Sequence, residues 1–229
     1  MKYPIFQDFF SLLFPKHCVT CTEVLLPNEI GLCSTCFYAL PVTSFHLTPH
    51  KNELVNKLIG LCPVHQAFAY LRFSKGGMSQ KVLHAIKYKD SPELATYLGN
   101  AYGTLLRNLG NPLAHIDALV PVPLHPKKMT IRGYNQSQAL AEGLQQALEI
   151  PILQGLVRTQ HSLSQTKKNR MERLEVVNQI FQAQENVKGK NVLLIDDVMT
   201  TGATLIACMN SLVEQGAKRV DVFVLAAGR

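Results

Sequence analysis

The chain has 229 residues, of which 47% are hydrophobic and 17% charged, which suits one core of ordinary domain size with an appendage and excludes a disordered chain. Its formal net charge of +7 favours anionic ligands, phosphates or nucleic acid. No apolar run is long enough to span a bilayer.

Residues 1–15 carry Ile5, Phe6, Phe9, Phe10, Leu12 and Leu13, interrupted by Gln7 and Asp8. They predict a short amphipathic helix packed on the body, with membrane or partner docking as the competing use. Cys18-Val-Thr-Cys21 and Cys33-Ser-Thr-Cys36 follow, separated by eleven residues. Each Cys-x-x-Cys turn sets two thiolates on one side of a tetrahedral metal, and two such turns close a four-thiolate site. The metal expected there is structural Zn2+, with no position open for catalysis. Six cysteines without a signal peptide imply a cytoplasmic, reducing setting, where thiols ligate metals more often than they pair. Cys62 and Cys208 read as buried thiols. Residues 1–65 are therefore assigned to a zinc-binding module and 66–229 to a second domain.

In that second domain residues 66–73 read as a strand, 74–77 as a turn and 78–88 as a helix with Val82, Leu83 and Ile86 inward. Pro92 opens another helix running to about Leu109. Residues 118–122 form a buried strand ending among Pro121, Pro123 and Pro126, and 136–148 a helix. A short strand is expected over 152–157 and a basic, mobile loop over 159–172. Strands at 192–195 and 220–225 flank the last helix, whose inward face is Leu205, Cys208, Met209, Leu212 and Val213, with Gly216 as its stop. Alternating strands and helices predict an α/β fold with a doubly wound, mostly parallel sheet, which binds ligands at the carboxyl ends of its strands.

The last of those strand-to-helix turns carries the most chemistry. Val192 to Ile195 is apolar, Asp196 and Asp197 follow, and the loop then reads Val198, Met199, Thr200, Thr201, Gly202, Ala203, Thr204. Free N–H groups and the positive end of a helix dipole make such a loop an anion cradle, and a glycine lets the backbone approach the ligand. The carboxylates would repel a phosphate, but they suit hydroxyls beside it. A phosphate with neighbouring hydroxyls is a ribose 5-phosphate.

The same stretch resembles the phosphoribosyl-pyrophosphate (PRPP) motif of type I phosphoribosyltransferases. By that resemblance the segment from Val198 to Thr204 holds the 5-phosphate, and Asp196 and Asp197 are the catalytic pair on the ribose hydroxyls. Nearly the whole chain is similar to the ComF family of competence-associated phosphoribosyltransferase-like proteins (ComFC or GntX-like). The residues that carry this are Pro121-Val-Pro-Leu-His-Pro-Lys127, Arg132-Gly-Tyr-Asn-Gln136, His84-Ala-Ile-Lys87-Tyr88, Gln165, Arg173, Phe181 and the cysteine pairs. One departure is Val176, where many relatives carry Asn.

The resemblance implies Mg2+ bound with PRPP, and single-stranded DNA and other competence proteins as partners. Lys127, Lys128, Arg132 and Arg173 are the candidates for a pyrophosphate or nucleic-acid contact, because cations there would offset the charge of a leaving pyrophosphate. Lys167, Lys168 and Arg170 share the expected mobile loop with Arg173. Tyr134 and Asn135 suit either a base contact or a core position and a helix N-cap. No residue identifies an acceptor. With 7% aromatics and no Trp, no base-stacking platform is visible in the sequence.

Overall fold

The computed structural model describes residues 14–158 and 180–228. The expected N-terminal helix, the basic loop with Lys167, Lys168, Arg170 and Arg173, and the family-pattern positions Gln165 and Val176 lie outside them.

Four parallel strands make the central sheet, in the order β1 (Val64–Arg72), β6 (Arg219–Ala227), β5 (Asn191–Met199), β2 (Ala118–Pro121). Their side chains are buried on both faces, which is why they read as near-continuous apolar runs. One face packs α3 (Met78–Tyr88), α4 (Pro92–Asn108) and α6 (Gln136–Leu148) around Phe68, Leu193, Ile195, Phe223 and Leu225. The other packs α2 (Glu53–Leu58) and α7 (Ala203–Glu214) on Val192, Leu194, Val220 and Val222. The expected doubly wound, parallel α/β architecture is therefore present.

α4 and α6 approach closely because small residues line their contact. A Cβ on Gly143 would run into the Thr96 carbonyl and lie 2.6 Å from the Asn100 nitrogen, and one on Gly103 would lie 2.7 Å from the Ala147 Cβ. This crossing pins α6, whose first turn reaches the carboxyl end of β5.

Residues 14–63 do not stand apart from the sheet. Cys18, Leu32 and Leu40 belong to the same buried cluster as α3 and α4. The Thr43 hydroxyl donates to the Ala69 carbonyl of β1, and Lys81 of α3 donates to the Thr20 carbonyl at 2.8 Å.

Four details correct the sequence reading. The last strand does not stop before the carboxylates: β5 continues through Asp196 and Asp197 to Met199, because β6 offers a partner as far as Ala227. Val213 is 39% exposed, next to the last residue of the helix, while Ile206 and Ala207 join the buried face. Residues 152–157 split: Ile152 bridges to Leu119, whereas β3 (Leu156–Arg158) pairs antiparallel with β4 (Phe181–Ala183). Finally, α2 and α5 (Pro126–Arg132) are helices of six and seven residues, too short for a periodic pattern to register.

Candidate functional site

The carboxyl ends of the parallel strands β1, β6, β5 and β2 lie at one edge of the sheet, and the acidic pair lies there near the end of β5. Asp196 Oδ1 accepts the Ser137 hydroxyl at 3.1 Å and the Asp197 N–H at 2.9 Å. Asp197 is 8% exposed and its Oδ1 lies 3.1 Å from Lys87 Nζ. Enclosure by protein, and next the like charge of Asp197, push the Asp196 carboxyl up to about 7, against the Asp197 N–H, the Ser137 hydroxyl and Lys87, which favour its charged form.

Beyond Met199 the chain turns through exposed Thr200 and Thr201 to Gly202, which has φ +80°. That left-handed conformation favours glycine, and a Cβ there would come within 3.0 Å of Met199 Cε. Gly202 is the N-cap of α7 and supplies no side-chain cap. The first intrahelical bond runs from the Ile206 N–H to the Gly202 carbonyl at 2.9 Å. The N–H groups of Ala203, Thr204 and Leu205 thus sit in the first turn, ahead of any intrahelical acceptor, at the positive end of the helix. Thr204 is exposed, whereas the Met199 side chain is buried in the core and Val198 packs against the opposite cluster. These last two side chains therefore serve packing rather than the loop's exposed face.

The basic candidates take different positions. His125 caps α5, its Nδ1 accepting the Lys127 N–H at 3.1 Å, and Lys127 and Lys128 project exposed from that helix. Arg132 Nη1 donates to Gln136 Oε1 at 2.8 Å, so Arg132 is tied to the start of α6. Asn135 caps α6 through the Ser137 N–H and donates to the Val122 carbonyl at 3.0 Å, which fixes the helix to the end of β2. The Tyr134 hydroxyl donates to the Ile86 carbonyl, and its ring packs against the core. Between the two uses open for these residues, they take the structural ones.

Lys87 and Ser137 are the contacts to the acidic pair that sequence reasoning missed. A signal existed for Lys87. It falls four residues after Leu83, on the helix face that Leu83 and Ile86 bury, where an unpaired lysine is costly.

Cys18, Cys21, Cys33 and Cys36 are brought together, with all four sulfurs within 4.8 Å of one another. Cys21 and Cys33 stand 3.7 Å apart. Zn–S bonds of about 2.3 Å in a tetrahedron require a sulfur–sulfur edge of about 3.8 Å, so the set fits a metal of that size. Cys33 caps α1 (Ser34–Tyr38) by accepting the Cys36 N–H at 3.5 Å. Burial opposes the Cys18 thiolate, but the Thr20 hydroxyl and nearby backbone N–H groups outweigh it and bring the thiol down to about 6. Among the described residues, no helix is long and apolar enough to cross a membrane.

A phosphoribosyl transferase domain model matches residues 135–229, which contain the acidic pair and the loop. Competence protein F of Haemophilus influenzae is 33% identical over 114 residues, covering 48% of this chain and 50% of that protein. Competence protein ComFC of Bacillus subtilis is 32% identical over 155 residues, 67% of this chain and 61% of that protein. Both matches thus span less than two thirds of the relative. The DNA utilization protein YhgH of Escherichia coli is 25% identical over 229 residues, 93% of this chain and 98% of that protein.

Proposed function

For a chain that belongs to the ComF family of phosphoribosyltransferase-like proteins, we propose that the edge at β5 and α7 binds the ribose 5-phosphate part of PRPP. The observation that carries this reading is the uncapped first turn of α7 directly following a part-buried acidic pair. The phosphate would sit on the N–H groups from Thr201 to Leu205, with the Thr200, Thr201 and Thr204 hydroxyls as further donors. The ribose hydroxyls would donate to Asp196 and Asp197. Mg2+, bound with PRPP, would neutralise its pyrophosphate. Arg132 and the lysines of α5 would face that anionic end, and Arg173 is proposed there on the resemblance alone. The four cysteines would hold structural Zn2+, fixing residues 16–36 against α3.

The same chain would handle single-stranded DNA during natural transformation, with other competence proteins as partners. The names of its relatives and the charge of +7 support this use. The alternative is phosphoribosyl transfer to a small nucleobase-like or amine acceptor. The raised Asp196 favours it, because a perturbed carboxyl beside a sugar site is a common mark of catalysis.

Calorimetric titration with PRPP and Mg2+ separates the parts of this reading. Thr201→Ala should weaken both PRPP and ribose 5-phosphate by roughly 1.5–3 kcal/mol, the worth of a hydrogen bond to a charged group. Asp197→Asn should weaken PRPP more than inorganic phosphate, because its partner is the sugar. Equal PRPP affinity in the wild type and both variants would sink the pocket.

A further inference from the structure

Beside the acidic pair lies a second arrangement, which shares Arg132 and the lysines of α5 with the proposed pyrophosphate end and adds two rings that the pocket does not use. His84 and Tyr88 stand one turn apart on α3, with ring centroids 5.0 Å apart. The Arg132 guanidinium carbon lies 5.4 Å from the Tyr88 centroid, and Gln136 holds that guanidinium across the junction between α5 and α6. Tyr88 is 61% exposed and Ile131, next to Arg132, 78% exposed. Rings that served only core packing would be covered, as Tyr70 and Tyr102 are in this protein. Cations frame the ledge: Lys89 follows Tyr88, and Lys127 and Lys128 share the helix of Arg132, all three exposed. Lys87, the residue before Tyr88, is anchored on Asp197, so the ledge is fixed relative to the pocket.

We propose that His84, Tyr88 and Arg132 form a stacking ledge for an unpaired base of single-stranded nucleic acid, with the adjoining phosphates along Lys89, Lys127 and Lys128. Ring and guanidinium planes accept the face of any base, and lysines neutralise the backbone without reading sequence. A sugar phosphate alone offers nothing flat to these groups, so the ledge and the PRPP pocket recognise different chemistry. The proposal rests on the nucleic-acid reading given above and supplies the aromatic surface that the sequence did not reveal: the two rings and the arginine come from helices separated in the chain.

The test is fluorescence anisotropy of the full chain with labelled oligothymidylate and with an abasic strand of equal length and charge. Wild type should bind oligothymidylate the tighter of the two. Tyr88→Leu should lose about 5- to 150-fold on oligothymidylate, the range that stacking one base on an aromatic ring covers. Its affinity for the abasic strand and for ribose 5-phosphate should stay unchanged, which also reports an intact fold. Tyr88→Trp should restore binding. Equal losses on both strands, or no loss on either, would overturn the ledge. Wild type that binds the two strands equally overturns the ledge alone, whereas wild type that binds neither at low salt overturns the nucleic-acid reading with it.

Discussion

Asp196 and Asp197 are neighbours with unlike surroundings. Asp197 has a lysine at 3.1 Å, whereas Asp196 has a hydroxyl and an N–H on one oxygen and a carboxylate beside it. Raised from 3.8 to about 7, Asp196 keeps a proton in the folded state that the unfolded chain has already lost. The stability of the ligand-free protein should therefore fall as pH rises from about 4 to about 7. Ribose hydroxyls donate to the charged form, so sugar binding should expel that proton and tighten as pH passes through about 7. Calorimetry of ribose 5-phosphate in buffers of different ionisation heat measures the proton released. Asp196→Asn should abolish the part that exceeds the phosphate's own second ionisation near about 6. Proton release identical in wild type and variant would show that the sugar does not meet Asp196. The acidic residues and the Thr-Thr-Gly loop were legible in the sequence because their types are consecutive. The partners of Lys87 and Ser137 were not, because they come 110 and 59 positions away and only the fold brings them near; for Lys87 the buried helix face signalled a need for a partner without naming it.

The helices and strands were legible where a periodic pattern ran long enough. Residues 78–88 and 136–148 appear as expected, the second with its asparagine cap. The end of the strand at Ile195 was misread because two carboxylates look like a loop, while the hydrogen-bonding partner that extends the strand lies in β6. The α4–α6 crossing was illegible for a related reason: Gly99, Gly103 and Gly143 weaken helix propensity locally and acquire their meaning only when another backbone presses on them. Gly143→Ala should gain propensity yet destabilise the protein, since the added methyl meets a carbonyl rather than a flexible side chain. Overpacking of this kind costs about 1–3 kcal/mol, read as a drop of roughly 2–12 °C in Tm for a chain of this size. A Tm equal to or above wild type would mean that the helices can separate at no cost.

At the scale of the molecule, the cysteine segment and the sheet share one core. Cys18, Leu32 and Leu40 pack with α3 and α4, so metal should stabilise more than its own knuckles. A strong chelator, or Cys33→Ser, should release one zinc per chain and lower the Tm. Hydrogen exchange should quicken over residues 16–40 while β5 and β6 stay protected, because those strands are buried independently of the metal. Full metal occupancy in Cys33→Ser would show that the ligand set is wrong. Charge works at this scale too: the excess of 23 basic over 16 acidic residues draws phosphates to the whole surface, so binding alone does not locate a site. The most direct measurement is therefore a crystal structure with ribose 5-phosphate. Its phosphate should rest on the N–H groups between Thr201 and Leu205, and its 2- and 3-hydroxyls should lie within hydrogen-bond distance of Asp196 and Asp197. A phosphate bound among the lysines of α5 with the first turn of α7 left bare would contradict the assignment.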